Sequence, residues 1–272
     1  MYLEHWRLKR KPFENTSDPD YYYPGETHQG ALLKLRYSVE SQRGAALLCG
    51  PCGVGKTLLV QTLHRQLSDA YRPFVHLVFP QMPARDLLAY LAAELGAQQA
   101  AAGDSLQTIV RGVEQSLYAN TAEGKHAVVV VDEAHLLEDS DNLETLRLLL
   151  NFETQSRPAL TLLLVGQPSL LTILDRMPQL EERMGVKCLL RDFTLDETVS
   201  YIQHRLHAAG AKQEIFQSAA LEAIHYLSGG IARRINRLCD LALLVGFAEE
   251  RDSIADEQIN AVNEELVCVA PE

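Results

Sequence analysis

Short apolar runs alternate with stretches of helical periodicity through the first two thirds of the chain. The strand-like runs are Ala45–Cys49, Phe74–Phe79, Ala127–Val131, Leu160–Val165 and Val186–Leu190. Helix-length segments lie between them, at Thr57–Leu67, Ala84–Leu95, Leu106–Tyr118, Leu143–Glu153 and Ser169–Met177. Near-continuous apolar strands separated by helices predict a parallel sheet, because helical crossovers bury both of its faces. From about Phe193 the strand signal stops, and four helical segments follow: Leu195–Ala209, Ser218–Leu227, Ala232–Ala248 and Ala255–Leu266. The pattern predicts an α/β domain over residues 1–192, with a five-stranded parallel sheet and helices on both faces. A small all-α domain over residues 193–272 follows it. Ala97–Asp104 reads as a loose connection between two helices.

Composition narrows the class. The 272 residues are 47% hydrophobic and 22% charged, as expected of a globular protein rather than a disordered or membrane-embedded one. A net charge of −11 argues against a general nucleic-acid coat protein. The charge is unevenly placed: residues 1–72 carry ten Lys/Arg against seven Asp/Glu, whereas residues 194–272 carry six against thirteen. The opening segment is too charged for a secretory signal. The long uncharged stretch Ala159–Leu174 is shorter than the roughly 18–20 apolar residues of a membrane-spanning helix. Five cysteines with no small disulfide framework suit a reducing compartment. The expectation is a cytoplasmic protein with no membrane span in this chain.

The first strand runs into Gly50-Pro51-Cys52-Gly53-Val54-Gly55-Lys56-Thr57-Leu58, which opens a helix. This is the G-x-x-x-x-G-K-[ST] phosphate loop in its strand–loop–helix setting. Gly53 and Gly55 permit backbone conformations that point successive N–H groups into an anion nest. The helix start adds the positive end of its dipole. Lys56 supplies a mobile charge for the β- and γ-phosphates, and the Thr57 hydroxyl is a hard ligand for Mg²⁺. The third strand ends in Asp132-Glu133, 76 residues beyond Lys56. Asp132 would hold Mg²⁺ through its water shell, and Glu133 would polarise the water that attacks the γ-phosphate. That spacing leaves room for one strand and its helices, so both motifs can share the crevice edge where open α/β sheets bind ligands. The cofactors expected are ATP, or another nucleoside triphosphate such as GTP, and Mg²⁺.

Two further patterns overlap these motifs. Asp132-Glu133-Ala134-His135 also spells a helicase box, but the chain leaves no room for a second motor domain, and His135 is read as a polar residue opening the next helix. Cys49-Gly50-Pro51-Cys52 also matches a thioredoxin-type signature. The phosphate-loop reading accounts for five residues here and the redox reading for two, which leaves a regulatory Cys49–Cys52 disulfide as a side hypothesis.

Taken together the residues resemble an AAA+ ATPase of the ExeA/GspA general secretion pathway type, with related patterns in the TniB and MuB transposition ATPases. The likeness runs from Met1-Tyr-Leu-Glu, Lys11-Pro-Phe13 and Tyr23-Pro-Gly-Glu-Thr-His28 through both nucleotide motifs to Val165-Gly-Gln-Pro168. It closes on Ser228-Gly-Gly-Ile-Ala-Arg233 and Asn236-Arg-Leu-Cys-Asp240. The resemblance implies that Gln167 is a sensor-1 group orienting the attacking water and that Arg233, on a lid helix, is a sensor-2 arginine. It implies that Arg183 is a finger acting in trans on a neighbouring subunit's ATP, with Arg176 as the alternative. The competing readings are a solvated charge cluster for Arg183 and a lid salt bridge for Arg233. Tyr23 and His28 would border the adenine pocket together with Pro24. The sequence departs from the pattern at Phe79, where the family places Asn, and at Ala232, where it commonly has Pro. The larger secretion ATPases continue past the helical segment into a membrane span and a peptidoglycan-binding region, to which the resemblance does not extend, so a cell-wall role is not expected from it.

The leading expectation is an ATP-hydrolysing homo-oligomer, a ring or filament, that remodels or positions a protein partner. The runner-up is a DNA-binding loader of the transposition type, supported by Arg7, Lys9, Arg10 and Lys11 at the front and Arg233, Arg234 and Arg237 on one helix. A third reading is a non-catalytic nucleotide switch or scaffold.

Overall fold

The computed structural model describes residues 2–97, 103–137, 140–154 and 156–268. Most of the connection expected at Ala97–Asp104 lies outside the described residues. The five-stranded sheet is built from β1 (Ala45–Cys49), β2 (Phe74–Leu77), β3 (Ala127–Val131), β4 (Leu160–Gly166) and β5 (Met184–Leu189). Its order is β2-β3-β4-β1-β5 and every pairing is parallel. The helices are α1 (Tyr2–His5), α2 (Glu26–Glu40), α3 (Lys56–Gln66), α4 (Ala84–Glu94), α5 (Leu106–Ala122), α6 (Ser140–Leu149), α7 (Ser169–Leu174) and α8 (Pro178–Glu181). After β5 come α9 (Leu195–Ala208), α10 (Ser218–Ser228), α11 (Ala232–Ala248) and α12 (Asp256–Cys268).

The chain divides into two compact units. One comprises residues 29–51 and 62–190 and holds the sheet. Every residue of β1, β3 and β4 is buried, as central parallel strands require, whereas β2 and β5 alternate in exposure as edge strands. Its core draws Leu47, Val129, Leu162 and Leu164 from the sheet and Leu87, Leu91, Ile109, Val113 and Leu146 from the helices. The edges differ from the expected boundaries. β2 ends at Leu77, and Val78 and Phe79 emerge 60% and 67% exposed. The helix expected over Ser169–Met177 ends at Leu174, and Pro178, which favours a first helical position, starts a separate turn. The helix expected to reach Glu153 stops at Leu149, and Glu153–Thr154 pairs antiparallel with Arg157–Pro158.

The other unit comprises residues 1–28, 52–61 and 191 onward. Its core joins Trp6 and Phe13 from the front of the chain to Tyr201, Ile202, Ile224, Ile235, Leu238, Leu243, Ile254 and Ile259. Thr194 and Glu197 close a reciprocal capping box at the start of α9. Trp6 Nε1 donates to the Leu243 carbonyl, and a Cβ on Gly246 would lie 2.9 Å from the indole, so glycine is what admits the ring. Arg205 is buried, and among the described residues it has no carboxylate partner. Its guanidinium donates to the carbonyls of Pro12 and Glu14 and to the Tyr201 hydroxyl, and lies 4.5 Å from the Tyr21 ring centroid. One buried cation thereby ties the charged opening segment to α9.

A candidate nucleotide site

The phosphate loop is shared between the units, with Gly50 and Pro51 in the sheet unit and Cys52–Gln61 in the helical one. In the sheet unit, the Gly50 N–H donates to the Gly166 carbonyl and the Leu190 N–H to the Cys49 carbonyl, which fixes the end of β1 between its neighbours. In the helical unit, Gly53 and Gly55 have φ of +83° and +102°, a region that side chains with a Cβ disfavour. A Cβ on Gly53 would also lie 2.9 Å from the Arg233 Cβ and 3.2 Å from Ile231 Cγ2. α3 begins at Lys56, which is 7% exposed, with Thr57 next. Two positive-φ glycines leading into a helix start make a cradle of the shape and polarity a phosphate requires.

Arg233, the second residue of α11, lies on this loop. Its N–H donates to the Gly53 carbonyl at 3.1 Å and its Nη1 to Cys52 Sγ at 3.5 Å. Cys52 is exposed and Cys49 buried, and neither is in a disulfide.

Tyr23 and His28 meet at Phe193. The Tyr23–Phe193 and His28–Phe193 ring centroids are 5.6 and 5.1 Å apart, and Tyr23 also packs edge-on against Tyr201. His28 is buried, with Nε2 2.8 Å from the Val54 carbonyl in the phosphate loop. Burial lowers its pKa, opposed by that hydrogen bond, so the neutral ring donates Nε2–H and presents Nδ1 as an acceptor. Nδ1 is buried without a hydrogen-bond partner among the described residues. The backbone around Phe193 is held by Gly230, whose carbonyl accepts the Phe193 N–H at 3.0 Å. Arg191 adds ion pairs to Glu26 at 2.8 Å and Glu197 at 2.5 Å. Phe193, Arg191 and Glu197 carry no motif signal, and only the fold brings them to Tyr23 and His28.

In the sheet unit, β3 delivers Asp132 and Glu133 and the adjacent β4 delivers Gln167, all at the carboxyl ends of neighbouring parallel strands. Asp132 is 2% exposed. Its Oδ1 accepts the Glu133 N–H at 2.9 Å, and its Oδ2 lies 3.4 Å from His76 Nε2 on β2. Glu133 has left-handed backbone (φ 51°, ψ 34°), uncommon for a residue with a Cβ. His135, expected to open the next helix as a polar residue, sits in the 3-10 turn Ala134–Leu136, with a side chain only 12% exposed. Among the described residues no three or more His, Cys, Asp or Glu side chains form a metal cage. Thr57 in the helical unit offers a hydroxyl and Asp132 in the sheet unit a carboxylate, each a kind of donor that suits Mg²⁺, which keeps much of its water.

The arginines assigned to a trans role stand elsewhere in the sheet unit. Arg183 donates through Nη1 to the Leu150 carbonyl at 3.1 Å and through Nη2 to Asn151 Oδ1 at 2.7 Å, so its hydrogen bonds do not go to Asp132, Glu133 or Gln167. Arg176 is exposed between α7 and α8. Among the described residues no helix is long and apolar enough to cross a membrane.

Residues 39–174 match a family model described as an AAA domain. Over 264 residues the chain is 37% identical to General secretion pathway protein A of Aeromonas hydrophila, a match covering 96% of this chain and 47% of that protein. The chain thus spans about half the length of the curated relative it matches. Among solved structures it is similar to the Aeropyrum pernix ORC2 protein in ADPNP–ADP complexes, with TM-score 0.74 at 18% identity over 97% of this chain and 73% of that one. Drosophila ORC bound to DNA gives 0.73 at 16% over 97% and 66%. The Thermotoga maritima RuvB Holliday junction branch migration motor gives 0.62 at 19% over 89% and 69%. These three likenesses show the fold.

Proposed function

Since the chain belongs to the AAA domain family, we propose that it binds ATP with Mg²⁺ and hydrolyses it, and that its ATP-dependent homo-oligomerisation and turnover remodel or position a protein partner. The observation that carries this reading is the phosphate loop: positive-φ Gly53 and Gly55, a helix starting at Lys56, and Arg233 bonded to the loop backbone. The backbone of residues 50–58 and Lys56 hold the phosphates, while Thr57 and Asp132 hold Mg²⁺, which supplies charge neutralisation at the phosphoryl oxygens. Glu133 accepts hydrogen bonding from the attacking water and draws its proton away, with Gln167 fixing that water's orientation. Arg233 meets the γ-phosphate.

Tyr23, His28 and Phe193 border the base. The buried acceptor at His28 Nδ1 suits the exocyclic amine of adenine and opposes the carbonyl that guanine carries there, which favours ATP over GTP. Arg183, or else Arg176, acts on a neighbouring subunit's ATP. Residues 1–192 act as the nucleotide-binding domain and 193–272 as the lid, in the cytoplasm. A DNA-binding role draws less support, because Arg10 pairs with Asp18 and Asp20, Lys11 pairs with Glu14, and Arg233 lies on the phosphate loop.

A binding titration with a fluorescent ATP analogue tests the reading. Wild-type protein should saturate and Lys56→Ala should not; equal binding by the two would refute the assignment of the loop.

A further inference from the structure

Glu133 and Gln167 are drawn together by a third side chain. His135 Nε2 lies 2.9 Å from Gln167 Nε2, and its Nδ1 lies 3.4 Å from Glu133 Oε2 and 3.4 Å from the Gln167 backbone nitrogen. Two local features put the ring there. The left-handed backbone of Glu133 turns the chain back at the end of β3, and the 3-10 turn then lays residue 135 against the end of β4. There Gly166 leaves room for it: a Cβ on Gly166 would stand 3.1 Å from the His135 nitrogen and 3.4 Å from Nδ1. All three side chains belong to the sheet unit.

We infer that His135 is a positioning residue that couples Gln167 to Glu133. The inference rests on the hydrolytic reading of Glu133. The ring nitrogens explain how the coupling works. A neutral imidazole has one N–H and one lone pair. When the Gln167 amide donates to Nε2, the ring proton must be on Nδ1, facing the Glu133 carboxylate, so the carboxylate is held. When the Gln167 amide turns its oxygen to Nε2, the proton must be on Nε2. Nδ1 then accepts the Gln167 backbone N–H, and the carboxylate is released to take a hydrogen bond from water. The orientation of one amide at the end of β4 thus sets whether the base at the end of β3 is held or available. Neither group has to touch the other.

The test combines kinetics with a measurement that needs no turnover. His135→Ala should lower kcat by about tenfold to a hundredfold, as expected when a reacting group loses the partner that orients it, with the KM for ATP and nucleotide affinity little changed. His135→Asn, which keeps a donor near the position of Nδ1 but has no counterpart of Nε2, holds the carboxylate without the release that Gln167 governs, so it should recover little of kcat. The double variant His135→Ala/Gln167→Ala should lose no more than the worse single variant, because the two act as one unit. Wild-type kcat in His135→Ala, a parallel loss of ATP affinity, or multiplicative losses in the double variant would each overturn the inference. Long-range proton–nitrogen spectra of labelled histidine identify the ring through its absence in His135→Asn. Both ring nitrogens should shift in Gln167→Ala and in Glu133→Gln. If the wild type binds ATP without hydrolysing it, the hydrolytic reading fails, and these spectra alone decide whether the coupling exists: unmoved signals would refute it.

Discussion

Gly229 and Gly230 precede α11 with nearly the same left-handed backbone, φ +62° and +73°, yet alanine should have very different effects at the two positions. The conformational cost is common to both: about 1–2 kcal/mol for a Cβ in this region, offset by about 0.4–1 kcal/mol from a stiffer unfolded chain. The surroundings differ. A Cβ at Gly229 meets nothing within 4 Å, whereas at Gly230 it falls 2.1 Å from the Phe193 carbonyl oxygen and 3.1 Å from the Phe193 nitrogen. Backbone cannot swing aside as a side chain can, so either the segment shifts or the Phe193 N–H to Gly230 bond breaks. Overpacking of about 1–3 kcal/mol and a lost hydrogen bond of about 0.5–1.5 kcal/mol make Gly230→Ala roughly 2–4 kcal/mol worse than Gly229→Ala. At roughly 2–4 °C per kcal/mol, thermal unfolding followed by circular dichroism should separate the two variants by about 5–15 °C. Because Phe193 touches Tyr23 and His28, ATP affinity of the folded protein should fall with Gly230→Ala and hold with Gly229→Ala. Coincident melting curves would refute the steric argument.

His126 is buried against the Thr161 hydroxyl at 2.8 Å, and burial lowers its pKa to about 4. The unfolded chain therefore takes up this proton first. Stability is full above the unfolded value of about 6.5 and falls by roughly 3 kcal/mol as the pH drops to about 4; His126→Gln should flatten that slope in denaturant melts, and an unchanged slope would show that other groups govern it. Arg183→Ala should leave ATP binding intact but lower turnover of the assembled protein by about a thousandfold or more if the arginine acts in trans. Mixing it with excess Lys56→Ala protein, which supplies the arginine but binds no ATP, should restore turnover, and failure to do so would favour Arg176.

The sheet was legible where burial dominates. β1, β3 and β4 are apolar at nearly every position because both faces are covered, and the motifs at their ends follow from the same strands. Legibility failed at the edges. Val78 and Phe79 continue the apolar run of β2 but leave the sheet, since hydrophobicity alone does not mark where pairing stops. α2 gives no clear helical stripe in the sequence, because exposed Leu33 and Tyr37 interrupt the positions it buries, His28, Ala31, Leu32, Leu35 and Val39. At the site, the phosphate loop, Asp132 and Glu133 were carried by local spacing. Phe193 and the ring position of His135 depend on residues far apart in sequence, and a spacing rule cannot see them.

In the proposed cycle Glu133 serves hydrolysis and not binding. Side-by-side measurement of ATP affinity and steady-state phosphate release for wild type and Glu133→Gln tests it most directly. The isosteric amide should bind ATP as tightly as wild type while phosphate release falls by at least about a hundredfold. Wild-type phosphate release from Glu133→Gln would remove Glu133 from the hydrolytic step.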